Sequence, residues 1–453
     1  MWLYQMLVYF LRAVVQVFFR QVEVVGRGNI PAEGEGPVIF AGNHPNSLLD
    51  PVMIFTTSRR VVHFAAKDVL FANPVTRALF TALGSVPIRR RSDHGGSNVD
   101  NSSAFDALFE VLAEGRAMGI FPEGISHDQS QLARLKTGAA RIALGVKERN
   151  PDLPLRIIPC GLTFIRRKRF RGRVLVQYGE PIIIEPSHMQ AHAEDPRLAA
   201  SQLTDQIDEG IRGLTINVSD WDTLRVLDGV RRLYQPPKIP LAHRVELARR
   251  FSLVYEQVRE EPEVQHLFGR VQDYIERLGD IGMTDHQLRR PLRTRDLLLK
   301  FLNQLVWTFF WLPLAAPGVI VHAPIGILAG WGGHRFTPRK DVTATAKLLA
   351  GLLLVILLYA GLVLATSWYW GWALGLSMLL LLPLTGHATL KVMERASTVR
   401  RLIMGAARTF RWRREVRELR QVRRELEAGV VQAVDRFKPE EMIPLYPREG
   451  GEE

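Results

Sequence analysis

Between Lys347 and Lys391 the chain contains no Asp, Glu, Lys or Arg. A bilayer core about 30 Å thick takes roughly 20 apolar residues per helix, so this interval is long enough for two spans. The uncharged, aromatic turn Ser367-Trp-Tyr-Trp-Gly371 would join them. The expectation is a transmembrane helical hairpin over residues 348–390. Both outer ends are basic, with Arg335, Arg339 and Lys340 before the hairpin and Lys391, Arg395, Arg400 and Arg401 after it. The positive-inside rule then places both flanks on the cytoplasmic face.

A second uncharged stretch, between Lys300 and Arg335, is interrupted by Pro313, Pro317 and Pro324. Proline removes a backbone donor that lipid cannot replace. Residues 301–334 are therefore expected to be a proline-broken membrane segment, re-entrant or folded as a closely packed pair. The N-terminal 20 residues are apolar and aromatic but contain Arg12, and no small-residue cleavage site follows them, unlike a secretory leader. An interfacial membrane helix laying Trp2, Tyr4, Phe10 and Phe18 into the headgroup region is expected, with a core helix as the alternative.

The formal charge of +13 admits nucleic acid, anionic lipid and anionic small molecules as partners. Many of the arginines stand beside apolar membrane segments, which favours lipid and sets nucleic acid aside. The single cysteine, Cys160, excludes an internal disulfide framework and reads as a buried strand residue.

Between these membrane signals lies an alternating pattern. Residues 21–26, 37–41, 61–65, 119–121, 156–159 and 174–178 are short, β-rich runs, whereas 73–83, 101–114 and 137–149 carry helical apolar spacing. Alternation of this kind predicts an α/β domain over 21–185, a mixed sheet flanked by helices. A polar boundary at 186–195 and a charged helical region over 196–295 follow. The C-terminal transmembrane helices come next, and 391–453 is a basic cytoplasmic tail. In that tail Arg411-Trp-Arg-Arg-Glu-Val-Arg-Glu-Leu-Arg420 has helical spacing. It fits an amphipathic helix facing anionic headgroups, or a solvated helix laced with Glu–Arg pairs.

Four motifs in the α/β region carry chemistry. In Asn43-His-Pro-Asn-Ser-Leu-Leu-Asp-Pro51 an imidazole and a carboxylate lie close together after a strand. A histidine oriented by a carboxylate can take the proton of an alcohol and make it nucleophilic. Asp50 has a competing role as helix N-cap, with Pro51 at the first helical position, and one oxygen could cap while the other meets the ring. Gly84-Ser-Val-Pro-Ile-Arg-Arg-Arg91 ends in guanidiniums suited to gripping a phosphate through paired hydrogen bonds. Arg90 and Arg91 are the substrate-binding candidates, and solvated or headgroup-facing roles are open to Arg89 and Arg91. Phe121-Pro-Glu-Gly-Ile-Ser-His-Asp128 sets Glu123 and Gly124 at a strand end, and lacks the second glycine of a nucleophile elbow around Ser126. His127 and Asp128 could be structural. The fourth motif is Ile158-Pro-Cys-Gly-Leu-Thr-Phe164. Lys136, just before a helix, could add positive charge to an anion site, and the basic run 166–173 could meet lipid or a phosphate-bearing donor. No regular spacing supports a metal site.

In order and spacing, these four motifs resemble the blocks of the glycerolipid acyltransferase superfamily. Most members have four residues between the histidine and the aspartate, whereas this chain has five. The longer spacing, the Glu-Gly-x-Ser-His-Asp form of the third block and the segments 221–226 and 231–235 resemble the fungal-type glycerol-3-phosphate/dihydroxyacetone-phosphate acyltransferase branch, which also carries hydrophobic segments toward its C-terminus. Ser126 stands where the common lysophosphatidate acyltransferase form has arginine.

The resemblance implies the glycerolipid acyltransferase fold. It also implies His44 as general base with Asp50 behind it, Arg90 as a phosphate-binding arginine, and Glu123 and Gly124 as acceptor-positioning residues. The implied reaction moves a fatty acyl group from acyl-CoA or an acyl carrier protein thioester to a hydroxyl of glycerol 3-phosphate or dihydroxyacetone phosphate at the membrane, without a cofactor. The alternatives are a lysophosphatidate or other lysophospholipid acceptor and, in another class, a non-catalytic lipid-binding membrane protein.

Overall fold

The computed structural model describes residues 2–89, 102–289, 294–335, 337 and 339–439. Two compact units emerge. One comprises residues 1–221, 238–252 and 339–345; the other comprises 222–237, 253–338 and 346–453.

The first unit opens with helix α1 (Trp2–Phe18), strand β1 (Phe19–Val25) and strand β2 (Val38–Gly42). It continues through α2 (Leu49–Thr57), β3 (Val62–Lys67), α3 (Pro74–Ala82), β4 (Val86–Ile88), α4 (Ser102–Ala113), β5 (Ala117–Ile120), α5 (Gly138–Arg149), β6 (Arg156–Ile165), β7 (Gly172–Tyr178), β8 (Ile182–Ile183), α6 (Pro186–Glu194) and α7 (Pro196–Arg212). The strands make one mixed sheet in the order β1-β7-β6-β2-β5-β3-β4, with β8 paired to β6. The β6–β7 and β6–β8 pairs are antiparallel and the rest parallel. Strand β2 is central, and all five of its residues are buried, as expected of a strand covered on both faces.

One core joins Ile39, Leu108, Leu112, Met118, Ile142 and Leu144 to Leu203, Ile207 and Ile211 of α7. The α/β domain therefore does not end near residue 185. Helix α7 carries a buried stripe at Ala199, Leu203, Ile207 and Ile211, four residues apart, which gives it a core-facing side despite its many charges. Helix α1 buries one face in the protein, and two residues expected in the headgroup region, Tyr4 and Phe18, lie on it. Tyr4, Val8, Val15 and Phe18 are buried, and the Tyr4 hydroxyl accepts the Val62 N–H, while Trp2, Met6, Tyr9 and Phe10 on other faces stay exposed. Arg12, which interrupts the apolar pattern, donates from Nε to the Thr56 carbonyl at the end of α2.

Beyond these lie α8 (Trp221–Tyr234), α9 (Leu241–Val258), α10 (Pro262–Asp280) and α11 (Asp285–Arg289). The last four helices are α12 (Thr294–Arg335), α13 (Thr343–Trp370), α14 (Trp372–Arg411) and α15 (Arg413–Phe437). Three are long and apolar enough to cross a membrane, over Leu298–Gly333, Thr343–Trp370 and Trp372–Arg411. Helices α13 and α14 are separated at Gly371, whose φ of +91° suits a residue without a side chain.

Contrary to the expected proline break, α12 is one continuous helix with Pro313, Pro317 and Pro324 inside it. Helix α12 packs along α14: the Thr389 hydroxyl donates to the Ala315 carbonyl, and Gly318, which has no side chain, lets the Thr385 carbonyl and the Thr389 hydroxyl approach closely.

The basic tail is not a free segment either. Val416, Leu419, Leu426 and Val430 of α15 are buried with Val271, Tyr274 and Leu278 of α10. Ion pairs Arg270–Glu425, Arg277–Glu418 and Arg436–Glu263 flank that seam, and a buried Arg423–Asp285 pair lies among its residues. The apolar face of α15 is thus covered by α10. The arginines dominate the composition, but the apolar residues recur on one face.

Candidate active site

Adjacent parallel strands β2 and β5 end on the same edge of the sheet, where open α/β sheets bind ligands. The turn after β2 carries His44, and the turn after β5 carries Glu123. Asn43 fixes the first turn to β6: its Nδ2 donates to the Leu162 carbonyl at 3.1 Å and its Oδ1 accepts the Leu162 N–H at 2.7 Å. The His44 ring stacks on Phe121, with centroids 4.2 Å apart and planes 7° from parallel.

His44 Nδ1 lies 2.8 Å from Asp50 Oδ2, and the same oxygen accepts the Asn46 N–H at 2.7 Å. Asp50 is fully buried, and its Oδ1 has no partner among the described residues. Burial pushes its carboxyl above the usual range, and the His44 ring, the Asn46 N–H and the field of Arg167 pull the other way. The expected N-cap role is not realised. Helix α2 begins at Leu49 with Leu48 in the capping position, so Asp50 sits inside the first turn and its bonded oxygen serves the turn that holds the histidine. With Nδ1 turned to the carboxylate, Nε2 is the nitrogen left without a hydrogen bond among the described residues. A carboxylate on Nδ1 favours the tautomer in which Nε2 can accept a proton.

Glu123, 3% exposed, connects the two turns. Its Oε1 accepts the His44 N–H at 2.6 Å, and its Oε2 accepts the Ala133 N–H at 2.9 Å and meets His127 Nε2. The His127 N–H in turn donates to the His44 carbonyl at 3.2 Å. Both carboxylate oxygens are thus committed to the scaffold. Beside this carboxylate Gly124 has φ +75°, and a Cβ there would lie 2.6 Å from Lys136 Nζ. Lys136 therefore reaches back over the turn, which brings two of the candidate residues together. Arg90 and Arg91 lie outside the described residues. Arg89, the neighbour that is described, is exposed, with Nε 4.0 Å from Asp68.

Sequence reasoning missed several partners. Arg167 donates to the Pro45 carbonyl at 2.8 Å, meets Asp128, and stacks over Trp221 at 5.7 Å. Lys168 pairs with Asp128 at 2.7 Å, so part of the basic run 166–173 braces the site. His127 and Asp128 were legible as a motif, but what they touch depends on strand order. Among the described residues no group of three or more His, Cys, Asp or Glu side chains could hold a metal ion.

Comparison with known proteins finds two domain matches. Residues 21–163 match the model of an acyltransferase domain, and residues 226–442 match the glycerol-3-phosphate acyltransferase 2 C-terminal domain. Glycerol-3-phosphate O-acyltransferase 2 of Saccharomyces cerevisiae is 25% identical over 79% of this chain and 64% of its own length. Glycerol-3-phosphate O-acyltransferase 1 of the same yeast is 28% identical over 79% of this chain and 60% of its own. The chain thus spans less than two thirds of the length of these relatives. A solved 1-acyl-sn-glycerophosphate acyltransferase from Thermotoga maritima aligns with 44% of this chain and 75% of its own, at 21% identity and a TM-score of 0.31. In sequence order, then, the chain carries an acyltransferase domain and a glycerol-3-phosphate acyltransferase 2 C-terminal domain, and it is homologous to the glycerol-3-phosphate acyltransferases.

Proposed function

We propose that this chain is a membrane-bound acyltransferase that esterifies a hydroxyl of glycerol 3-phosphate or dihydroxyacetone phosphate, for phospholipid synthesis, with an acyl thioester of coenzyme A or acyl carrier protein as donor. The observation that carries the reading is the His44–Asp50 pair, 2.8 Å apart at the carboxyl edge of the sheet. His44 Nε2 takes the hydroxyl proton as that oxygen attacks the thioester carbonyl. The tetrahedral intermediate then collapses, expelling the thiolate, which recovers the proton from the imidazolium. Asp50 supports that imidazolium. Arg90 and Arg91 are the proposed grips on the acceptor phosphate, and Lys136 adds positive charge beside Gly124. Glu123 acts by holding the His44 turn, because its oxygens already have partners.

For localisation, the segment 339–345 belongs to the same compact unit as His44. Whichever side of the bilayer holds the basic flank of Arg339 and Lys340 therefore also holds the site, and the positive-inside rule makes that side cytoplasmic.

An acceptor screen tests the activity. Purified chain with acyl-CoA should release thiol with glycerol 3-phosphate or dihydroxyacetone phosphate faster than with lysophosphatidate. A preference for lysophosphatidate would move the assignment to the second acylation step. No thiol release above background with any of these acceptors would leave a non-catalytic lipid-binding protein.

A further inference from the structure

The two turns that shape the site are both tied to one distant piece of chain, the link before α13 together with the first turn of that helix. Ser126, in the Glu123 turn, donates from Oγ to Asp341 Oδ2 at 2.6 Å. Arg339 donates to the Ser126 carbonyl at 2.7 Å and to the same Asp341 oxygen at 2.7 Å. Thr345 donates from Oγ1 to the carbonyl of Asn46, in the His44 turn, at 3.2 Å. Asp341 and Thr345 are each 4% exposed, and Asn46 is fully buried. All of these residues lie within the first unit.

We propose that Asp341 is a positioning residue for acyl transfer, fixing the 123–128 turn through Ser126 so that Glu123 and His127 keep His44 in place. The proposal rests on the acyltransferase reading above. Position matters steeply in such a site, since a displacement of about 1 Å can lower a rate about 100-fold. Without the anchor, Ser126 loses the acceptor of its hydroxyl. The turn is then held by Glu123 and the Arg339 contact, and Arg339 itself loses its counter-charge. Burial pushes the Asp341 carboxyl up, but the Ser126 hydroxyl and the Arg339 guanidinium hold it below its ordinary range, as an anchoring carboxylate should be. The competing description is an acidic residue that merely favours the start of α13. That role would not involve Ser126.

Ser126→Ala, Asp341→Ala, their double variant and Asp341→Asn, each in the full chain in detergent, separate the two. A shared interaction makes the effects non-additive. The expected result is a fall in kcat of about tenfold for each alanine variant, in line with one charge-assisted hydrogen bond. KM should stay within about twofold, the double variant should be no slower than the slower single, and Asp341→Asn should recover most of the rate because its amide oxygen still accepts from Ser126. Amide hydrogen exchange at Gly124 and His127 should quicken in both alanine variants. Additive losses, or unchanged rates and exchange, would overturn the proposal. If the parent chain transfers no acyl group, the functional reading fails and hydrogen exchange alone decides the anchor. Ser126→Ala, which removes one hydroxyl, keeps the test open should Asp341→Ala not fold.

Discussion

Replacing Asp50 by asparagine separates the two services a carboxylate can give a catalytic histidine: fixing its tautomer and supporting its charge. The amide could in principle turn its NH2 toward His44 and reverse the tautomer. The structure forbids that rotamer, because the oxygen facing His44 Nδ1 at 2.8 Å is the same one that accepts the Asn46 N–H at 2.7 Å. An NH2 in that place would confront a buried backbone donor. The amide oxygen therefore keeps the Oδ2 position and His44 keeps its Nδ1–H. What disappears is the negative charge beside the imidazolium formed in the transition state. A hydrogen bond to a charged group contributes about 1.5–3 kcal/mol against about 1 for a neutral one. The difference is about 0.5–2 kcal/mol, and at 1.36 kcal/mol per factor of ten it lowers kcat roughly 2- to 30-fold. Reversing a tautomer, by contrast, costs a serine protease about 10⁴. Stability should not fall, since burial raises the Asp50 carboxyl and the buried charge opposes folding. Steady-state thiol release and thermal unfolding of Asp50→Asn measure both quantities. A rate equal to the parent would refute the role of Asp50, and a loss near 10⁴ would refute the argument from Asn46.

Three further outcomes follow from the same geometry. Glu123→Gln leaves either the His44 or the Ala133 N–H facing an NH2, since each carboxylate oxygen now serves one of them; an unsatisfied buried donor costs about 1–3 kcal/mol, and at about 2–4 °C per kcal/mol Tm should drop roughly 2–12 °C. An unchanged Tm would contradict it. Gly124→Ala forces a side chain into φ +75° and against Lys136, which should lower urea stability by about 1–2 kcal/mol. Acid should also weaken the fold. Burial pushes Glu246 up, but hydrogen bonds from Arg249 and Arg250 bring it below its ordinary 4.5, and Asp341 likewise lies below 3.8. Both are more acidic folded than unfolded, so their stabilisation is complete above those values and is lost as pH falls through the folded pKa. A urea midpoint that declines below about pH 4.5 in the parent and declines less in Glu246→Gln checks the sign.

His44 and Asp50 could be paired from the sequence because one motif holds both, and turn geometry leaves little freedom between them. Glu123 was visible as a carboxylate at a strand end. Its commitment to the His44 N–H and His127 was not, since that needs β2 and β5 to be neighbours, and they are separated in sequence by β3 and β4. Asn43 bracing Leu162 and Arg167 bracing Pro45 depend on strand order in the same way. The Ser126–Asp341 contact spans 215 residues, and nothing local in either segment announces it. The alternation of strands and helices revealed the sheet, but the charges on α7 hid a buried stripe that extends the domain. Prolines in α12 suggested a break by their local chemistry, yet the helix runs on through them and packs along α14, a partner that a single-segment reading does not include.

The central claim is that His44 Nε2 removes the proton of the attacking alcohol. Thiol release from acyl-CoA with glycerol 3-phosphate, followed in parallel for the parent chain and for His44→Ala matched in Tm, tests it directly. The account predicts steady release from the parent and none above background from the variant. Comparable release from both would contradict it.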